Sequence, residues 1–177
     1  MRCFGDGDPL YEAYHDDEWG RPVTDAQHML ERLCLEGFQA GLAWITILRK
    51  REAFRTAFAG FDPEAVAAFD DADRERLMAD AGIVRNRLKV DAAIANARAV
   101  LGLREQGGLE DLVWSHRPER HTPPRSTAEL RATSPESIAL AKALKKAGFA
   151  FVGPTTMYAL MEATGLVNDH LVGCHLR

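Results

Sequence analysis

The chain has 177 residues, enough for one sizeable core or two small lobes sharing one, and its apolar and charged fractions (46% and 27%) are those of an ordinary folded domain. No apolar run is long enough to span a membrane, and three cysteines, Cys3, Cys34 and Cys174, are an odd count that argues against a disulfide framework. A net charge of -4 excludes a uniformly basic nucleic-acid coat, but it leaves room for local basic faces at Arg49-Lys50-Arg51, at Arg85, Arg87 and Lys89, at Arg117, Arg120 and Arg125, and at Lys142, Lys145 and Lys146.

In chain order the pattern reads as almost entirely helical. Thr24 and Asp25 open a helix with Met29, Leu30, Leu33 and Cys34 on one face, and Gly37 and Gly41 weaken it near its end. A second amphipathic stretch covers 44–58, with Ile47, Leu48, Phe54 and Phe58 apolar, and Gly60 closes it. Asp62 followed by Pro63 looks like an N-cap and first helical residue, so short helices are predicted over 63–69 and 72–80, the latter stopped by Gly82. The stretch 86–105 offers Leu88, Ala92, Ile94, Ala95 and Leu101 to a core, and Gly107-Gly108 ends it before a short helical turn over 109–115. Residues 116–128 are basic and Pro-rich and read as a loop joining two lobes. Ser134-Pro135-Glu136 starts a helix to Ala147, and after GFAFVG (148–153) Pro154 starts another to Ala163. No alternating strand pattern, repeat or low-complexity tract is present.

Ligand chemistry sits at both ends. His170 and Cys174 are four apart and would share a face if helical, and Cys3 and His15 lie near the start. Two thiolates and two imidazoles select zinc over hard cations, and four protein ligands leave no coordination position for water, which makes a structural site. The competing reading is a terminal thiol plus two core residues, and His175 is a rival ligand that spacing does not remove. Cys34, on an apolar face, reads as a packed core thiol.

Tyr11, Tyr14, His15 and Trp19 crowd DPLYEAYHDDEWG, with the two tyrosines three apart and on one face of a helical turn. LCLEGFQAGLAW adds Glu36 and Trp44. Each aromatic alone would be taken for core. Together with one carboxylate they suit a flat cationic ring, stacked on aromatic faces with its exocyclic N–H groups donated to the acid. In GFAFVG the glycines at both ends permit positive φ, and the free N–H groups of a helix starting at Gly153-Pro154 suit a phosphate, although a plain helix–helix turn needs glycine for its own reasons.

The segments YEAYHDDEWG, CLEGFQAGLAWITILRKRE, DAGIVRNRLKVDAAIANARA, KALKKAGFAFVGPTTMYALMEATGLVNDH and the final VGC, which cover most of the chain in order, resemble the 3-methyladenine DNA glycosylase I family. The resemblance implies an all-α helix-hairpin-helix glycosylase fold, one domain over 1–177 with a second lobe at about 44–130 and a zinc site joining the two ends. It implies that Cys3, His15, His170 and Cys174 hold Zn2+, that Glu36 is the catalytic base-recognition carboxylate, that Tyr11, Tyr14 and Trp44 line the base pocket, and that Gly148 and Gly153 lie against the DNA backbone. The activity implied is monofunctional: water hydrolyses the glycosidic bond of an alkylated adenine in double-stranded DNA, and 3-methyladenine is the product. A monomer without membrane contact, cytoplasmic and nucleoid-associated when on DNA, is the expectation, since MRCFGDGDPLY lacks the order of a signal peptide. Asp169, beside His170, reads as structural.

Three departures from the family pattern stand out: Ala43 where serine is common, a shortened segment between Cys3 and Tyr11 that lacks a tryptophan, leaving Phe4 as the candidate replacement, and only three residues after Cys174. Two other functions fit parts of the pattern. A non-enzymatic sensor of alkylated bases would keep hairpin and pocket without turnover, and a zinc hydrolase would need an open coordination position.

Overall fold

The computed structural model describes residues 1–177. Nine α-helices and no strand make up the chain: α1 Pro9–Ala13, α2 Ala26–Gln39, α3 Trp44–Ala57, α4 Pro63–Ala67, α5 Asp71–Ala79, α6 Arg87–Leu103, α7 Gly108–Trp114, α8 Pro135–Lys146 and α9 Pro154–Ala163. Local chemistry starts most of them. Asp25 caps α2 by accepting the His28 N–H at 2.9 Å, Asp62 caps α4 from Ala65, and Asn86 caps α6 from Lys89. Ser134 and Ser137 cap α8 reciprocally, each side chain accepting the other's backbone N–H. No helix is long and apolar enough to cross a membrane.

α2 is the axle. It packs against α3, α6, α7 and α9, and from Leu33 to Phe38 every residue is buried. A helix surrounded in this way carries its polar residues inward with the rest. Around it the phenylalanines of α2, α3 and the following turn stack, with Phe38 and Phe54 at 4.5 Å and Phe58 and Phe61 at 5.4 Å between centroids. The buried apolar residues form one continuous cluster drawn from α2 through α9.

Several predicted boundaries shift. α5 ends at Ala79, three residues before Gly82, because Asp80 turns back to accept the Gly82 N–H at 2.7 Å. Leu88 is not a core residue: it is 71% exposed, since the buried stripe of α6 runs through Val90, Ala93, Ile94, Ala97 and Val100 and Leu88 falls on the opposite side. Ala95 and Leu101 are only half-buried for the same reason. The chain from 171 to 177 is a pair of turns, so His170 and Cys174 meet through the Cys174 N–H to Leu171 C=O bond, without a helix.

After α1 the chain passes into a π-helical turn, Tyr14–Glu18, closed by the Trp19 N–H to Tyr14 C=O bond at 2.9 Å. Such turns are uncommon and concentrate at functional sites. Here two consecutive buried side chains, Tyr14 and His15, serve two different clusters. At the other end, α8 closes with a Schellman motif: Phe149 N–H bonds Leu144 C=O, Gly148 N–H bonds Lys145 C=O, and Gly148 takes φ +95° as that motif requires. Gly153 differs from expectation. Its φ is -70°, and the second positive φ of this hairpin, after that of Gly148, falls on Phe151 at +56°. A side chain at Gly153 would meet nothing within 4 Å inside the protein.

Candidate functional site

A cavity of about 320 Å³ opens between the first thirty-odd residues and the last helix. Tyr11, Tyr14, Glu36 and Trp44 all line it, so the four residues singled out in the sequence share one space. Tyr14 and Trp44 form one wall, with ring centroids 5.3 Å apart and planes tilted by 46°. Tyr11 stands against Phe4 at 4.9 Å, and Trp19 meets the same phenylalanine edge-on at 5.0 Å.

Phe4 and Trp19 complete the aromatic lining. The sequence left Phe4 undecided and placed Trp19 only in the neighbourhood. Phe4 follows the proposed ligand Cys3, which was the one signal that it would be carried to this wall. Glu162, an acid inside the apolar run of α9, also lines the cavity and was missed.

Glu36 is 5% exposed. Burial pushes its carboxyl up to about 8, opposed by the Arg32 guanidinium, and no hydrogen bond from the protein helps to hold it charged. A second buried acid on the same helix shows the contrast: Glu31 is bound by Arg55 at 2.8 Å. Arg32 is itself engaged by Glu18 at 2.6 Å and lies 6.0 Å from the Tyr14 ring. Burial, and then the nearby charge of Glu36, push the Tyr14 phenol well up, so it stays a neutral donor. Burial, followed by the charge of Asp169 and then Glu36, pushes Glu162 up to about 9. The Trp44 indole N–H is buried with no partner in the protein. The cavity thus combines aromatic faces, buried carboxyl groups and an unpaired donor, which is the equipment for a flat heterocycle with both donors and acceptors.

Asp169, read from the sequence as structural or as an outer partner of the proposed ligand His170, is held inside the protein and also borders the cavity. Its Oδ2 accepts the Tyr158 hydroxyl at 2.8 Å, and its Oδ1 lies 2.7 Å from His121 Nε2.

Cys3, His15, His170 and Cys174 converge, with their ligand atoms all within 4.8 Å of one another. Sγ of Cys174 is 3.6 Å from His15 Nε2 and 3.5 Å from His170 Nδ1, and Sγ of Cys3 is 3.7 Å from His170 Nδ1. A tetrahedron with ordinary zinc–sulfur and zinc–nitrogen bonds has sulfur–nitrogen edges of roughly 3.5 Å, so the spacing fits. The outer contacts fit too. His15 Nδ1 lies 2.8 Å from Asp16 Oδ1, and His170 Nε2 lies 3.3 Å from the Trp19 carbonyl, so each ring donates outward and turns its other nitrogen to the centre. The Leu171 N–H points at Cys3 Sγ at 3.2 Å. The rival His175 stands outside this group, 3.2 Å from Asp16 Oδ1. Cys34 is buried in the core.

Of the basic clusters, the 49–51 group is occupied within the protein, and so are Arg87 and Lys89 of the second, whose Arg85 is exposed and unpaired. Arg49 pairs with Asp8, Arg51 with Glu18 and Arg87 with Glu75, while Lys50 and Lys89 donate to carbonyls. Lys142, Lys145 and Lys146 on α8 and Arg120 and Arg125 in the loop before it form no ion pair and are exposed.

The chain matches the model of the methyladenine glycosylase family over residues 4–177. It is 53% identical to DNA-3-methyladenine glycosylase 1 of Escherichia coli over 171 residues, covering 94% of this chain and 91% of that protein. It is 45% identical to DNA-3-methyladenine glycosylase of Haemophilus influenzae over 172 residues, covering 93% and 91%. Among solved structures, a crystal structure of 3-methyladenine DNA glycosylase I superposes with a TM-score of 0.95 at 50% identity, covering 99% of this chain and 98% of that one. The Staphylococcus aureus 3-methyladenine DNA glycosylase I, in a structure that describes 3-methyladenine recognition, gives 0.93 at 36% identity, covering 98% and 94%.

Proposed function

The chain belongs to the methyladenine glycosylase family, and from that premise and the cavity geometry we propose that it is a monofunctional DNA glycosylase that hydrolyses the N-glycosidic bond of 3-methyladenine in alkylated double-stranded DNA, the first step of base-excision repair. The observation that carries this reading is the cavity itself: a buried carboxyl, Glu36, with no partner in the protein, faces the same space as Tyr11, Tyr14 and Trp44. It is a guest's hydrogen-bond partner in waiting.

The chemistry follows from charge. Alkylation leaves adenine cationic while it is still attached to the sugar. Once the nucleotide is extruded, at a cost of about a few kcal/mol, the cationic ring stacks on Tyr14 and Trp44. Its positive charge favours the ionised form of Glu36, which then accepts the exocyclic N–H. The glycosidic bond breaks with its electron pair passing to the base, so the base departs neutral and positive charge moves to the sugar. Water adds at the anomeric carbon and loses a proton. The ionised Glu36 thereby selects the cationic base over a neutral one and holds it in the cavity, while electrostatic help to bond cleavage acts where the charge develops, on the sugar.

Cys3, His15, His170 and Cys174 would hold a zinc ion whose four positions they fill, which supports a structural role. Bound there, the ion would tie residues 3 and 15 to residues 170 and 174 and so fix the wall that carries Phe4, Tyr11 and Tyr14. In this reading the protein is one domain over 1–177 whose second helical lobe spans about 44–130. The 148–153 hairpin, with Gly148 and Gly153, faces the DNA backbone, and the protein works as a cytoplasmic monomer that joins the nucleoid when bound to DNA. The unpaired cations of α8 support that orientation of the hairpin.

The test is incubation of the purified protein with methylated DNA and identification of the released bases. The expected result is free 3-methyladenine from wild type and a large loss of release from Glu36→Ala. Binding of methylated DNA without any release would replace the enzyme with a sensor, and full activity of Glu36→Ala would remove Glu36 from the mechanism.

A further inference from the structure

We infer that Lys89 and Asn96, seven residues apart on one face of α6, are positioning residues that lock the 39–42 turn and the 148–153 hairpin together as a single rigid grip on double-stranded DNA. This rests on the glycosylase reading above and adds to it the device that fixes the DNA-facing surface.

Neither residue touches the base cavity, and no residue of α6 lines it. Both instead reach into backbone. Asn96, 2% exposed, satisfies both polar groups of one hairpin residue: its Oδ1 accepts the Ala150 N–H at 2.8 Å and its Nδ2 donates to the Ala150 C=O at 3.2 Å. The next residue is Phe151, whose φ of +56° is a left-handed conformation that a bulky side chain adopts only when its surroundings hold it there. The bidentate amide is that restraint.

Lys89, 8% exposed, has no carboxylate partner. Its ammonium donates to the Phe38 carbonyl at 2.8 Å and the Ala40 carbonyl at 2.6 Å, the last free acceptors of α2. From there the chain makes a type II turn: Ala40 lies at φ -47°, ψ 115°, Gly41 at φ +82°, and the Leu42 N–H closes onto Gln39 C=O. The turn leaves Leu42 exposed and delivers Trp44 to the cavity wall. Burying a cation to cap a helix end is a costly way to finish an ordinary connection. It is justified where the turn must not move.

The hairpin also touches the end of α2 that leads into the turn: Gly37 lacks a side chain where Phe151 packs, and a Cβ built there would lie 3.3 Å from the Phe151 Cβ. A groove lined by Gln39, Gly41, Leu42 and Thr155 runs between the 39–42 turn and the start of α9, which follows the hairpin, and shares Glu36 and Gln39 with the cavity. The sequence placed Lys89 in a local basic cluster with Arg85 and Arg87; its ammonium points inward, and its role in DNA binding is indirect.

The test uses the full-length zinc-loaded protein with Lys89→Met, Asn96→Ala and the double variant. Three quantities are read: affinity for free 3-methyladenine by aromatic fluorescence, affinity for a duplex carrying a stable abasic analogue, and single-turnover release at saturating DNA. Duplex affinity is expected to fall about tenfold in each single variant, the scale of removing one or two hydrogen bonds. In Asn96→Ala, free-base affinity and the saturated rate should stay within about twofold, because the hairpin lies outside the base cavity, and the double variant should fall short of the product of the singles in duplex affinity, as residues of one unit do. Unchanged duplex affinity overturns the inference, and so does a parallel loss of free-base affinity in Asn96→Ala, which marks a merely structural role. Should Met or Ala prevent folding, Lys89→Arg and Asn96→Asp carry the same measurements. A wild-type protein that binds the duplex but releases no base would defeat the enzymatic reading alone.

Discussion

Glu36→Gln should make the protein more stable and far less active at once, and the pH at which the stability appears is set by the burial of one carboxyl. In the unfolded chain Glu36 ionises at its ordinary value near 4.5, whereas burial in the folded chain pushes it up to about 8. Between those values the folded state keeps a proton that the unfolded state has lost. Stability therefore falls as pH rises, by about 1.4 kcal/mol for each pH unit crossed, and reaches a loss on the order of a few kcal/mol by pH 8. Below 4.5 both states hold the proton and nothing is lost. Glutamine keeps the shape and cannot ionise, so it removes the penalty. For a chain of this size the gain corresponds to roughly 10 °C in Tm at pH 8, shrinking to nothing at pH 4. Base release should fall strongly, because the amide oxygen can still accept the exocyclic N–H but carries no negative charge to hold the cationic ring. Melting curves of zinc-loaded wild type and variant across pH 4 to 9 check the claim, since the metal's own pH dependence is common to both. Parallel stability curves would show that Glu36 is not held protonated by burial, and the argument for its role as a partner reserved for a cation would go with it.

Asp16→Asn should weaken zinc binding by about 10- to 100-fold in chelator competition, because the outward partner of His15 is removed, while the zinc-saturated variant still releases base; unaltered affinity would refute the orienting role. Replacing Lys142, Lys145 and Lys146 by glutamine should flatten the dependence of DNA affinity on salt, by about one in log–log slope for each phosphate that is no longer neutralised. The same change at Arg49, Lys50 and Arg51 should leave the slope alone, since those cations are already engaged inside the protein. Phe54→Ala should cost about 3–5 kcal/mol in denaturant unfolding, because the ring is fully buried and packed at a tilt against Phe38 at 4.5 Å; a cost under about 1 kcal/mol would mean that the phenylalanine cluster is not the centre of the core.

Helix starts were readable because capping is local chemistry. Asp25, Asp62, Asn86 and Ser134 each begin a helix with side-chain oxygens that reach only three residues ahead. Helix faces were less so. Leu88 is apolar and lies within a helix, yet it points to solvent, because which stripe of α6 is buried depends on what α2 and α4 place against it. The four residues that could hold a metal were legible by residue type, but their convergence through two turns was not, and only distance sets His175 apart from them. Glu162 was hidden among the apolar neighbours of α9, which gave no hint of a cavity, and Phe4 was named only as a candidate in a shortened segment whose path the sequence does not fix.

By itself the sequence determined the all-helical character, the caps, the hairpin and the residue types fit for a base and a metal, since each of these depends on interactions between residues a few positions apart. Tertiary structure alone decided which carboxylate is left without a partner. Glu31 and Glu36 lie on one helix five residues apart, and Arg55 from α3 neutralises the first while nothing reaches the second. The cost of burying charge depends on partners brought from distant parts of the chain, and no local pattern encodes where those partners end up.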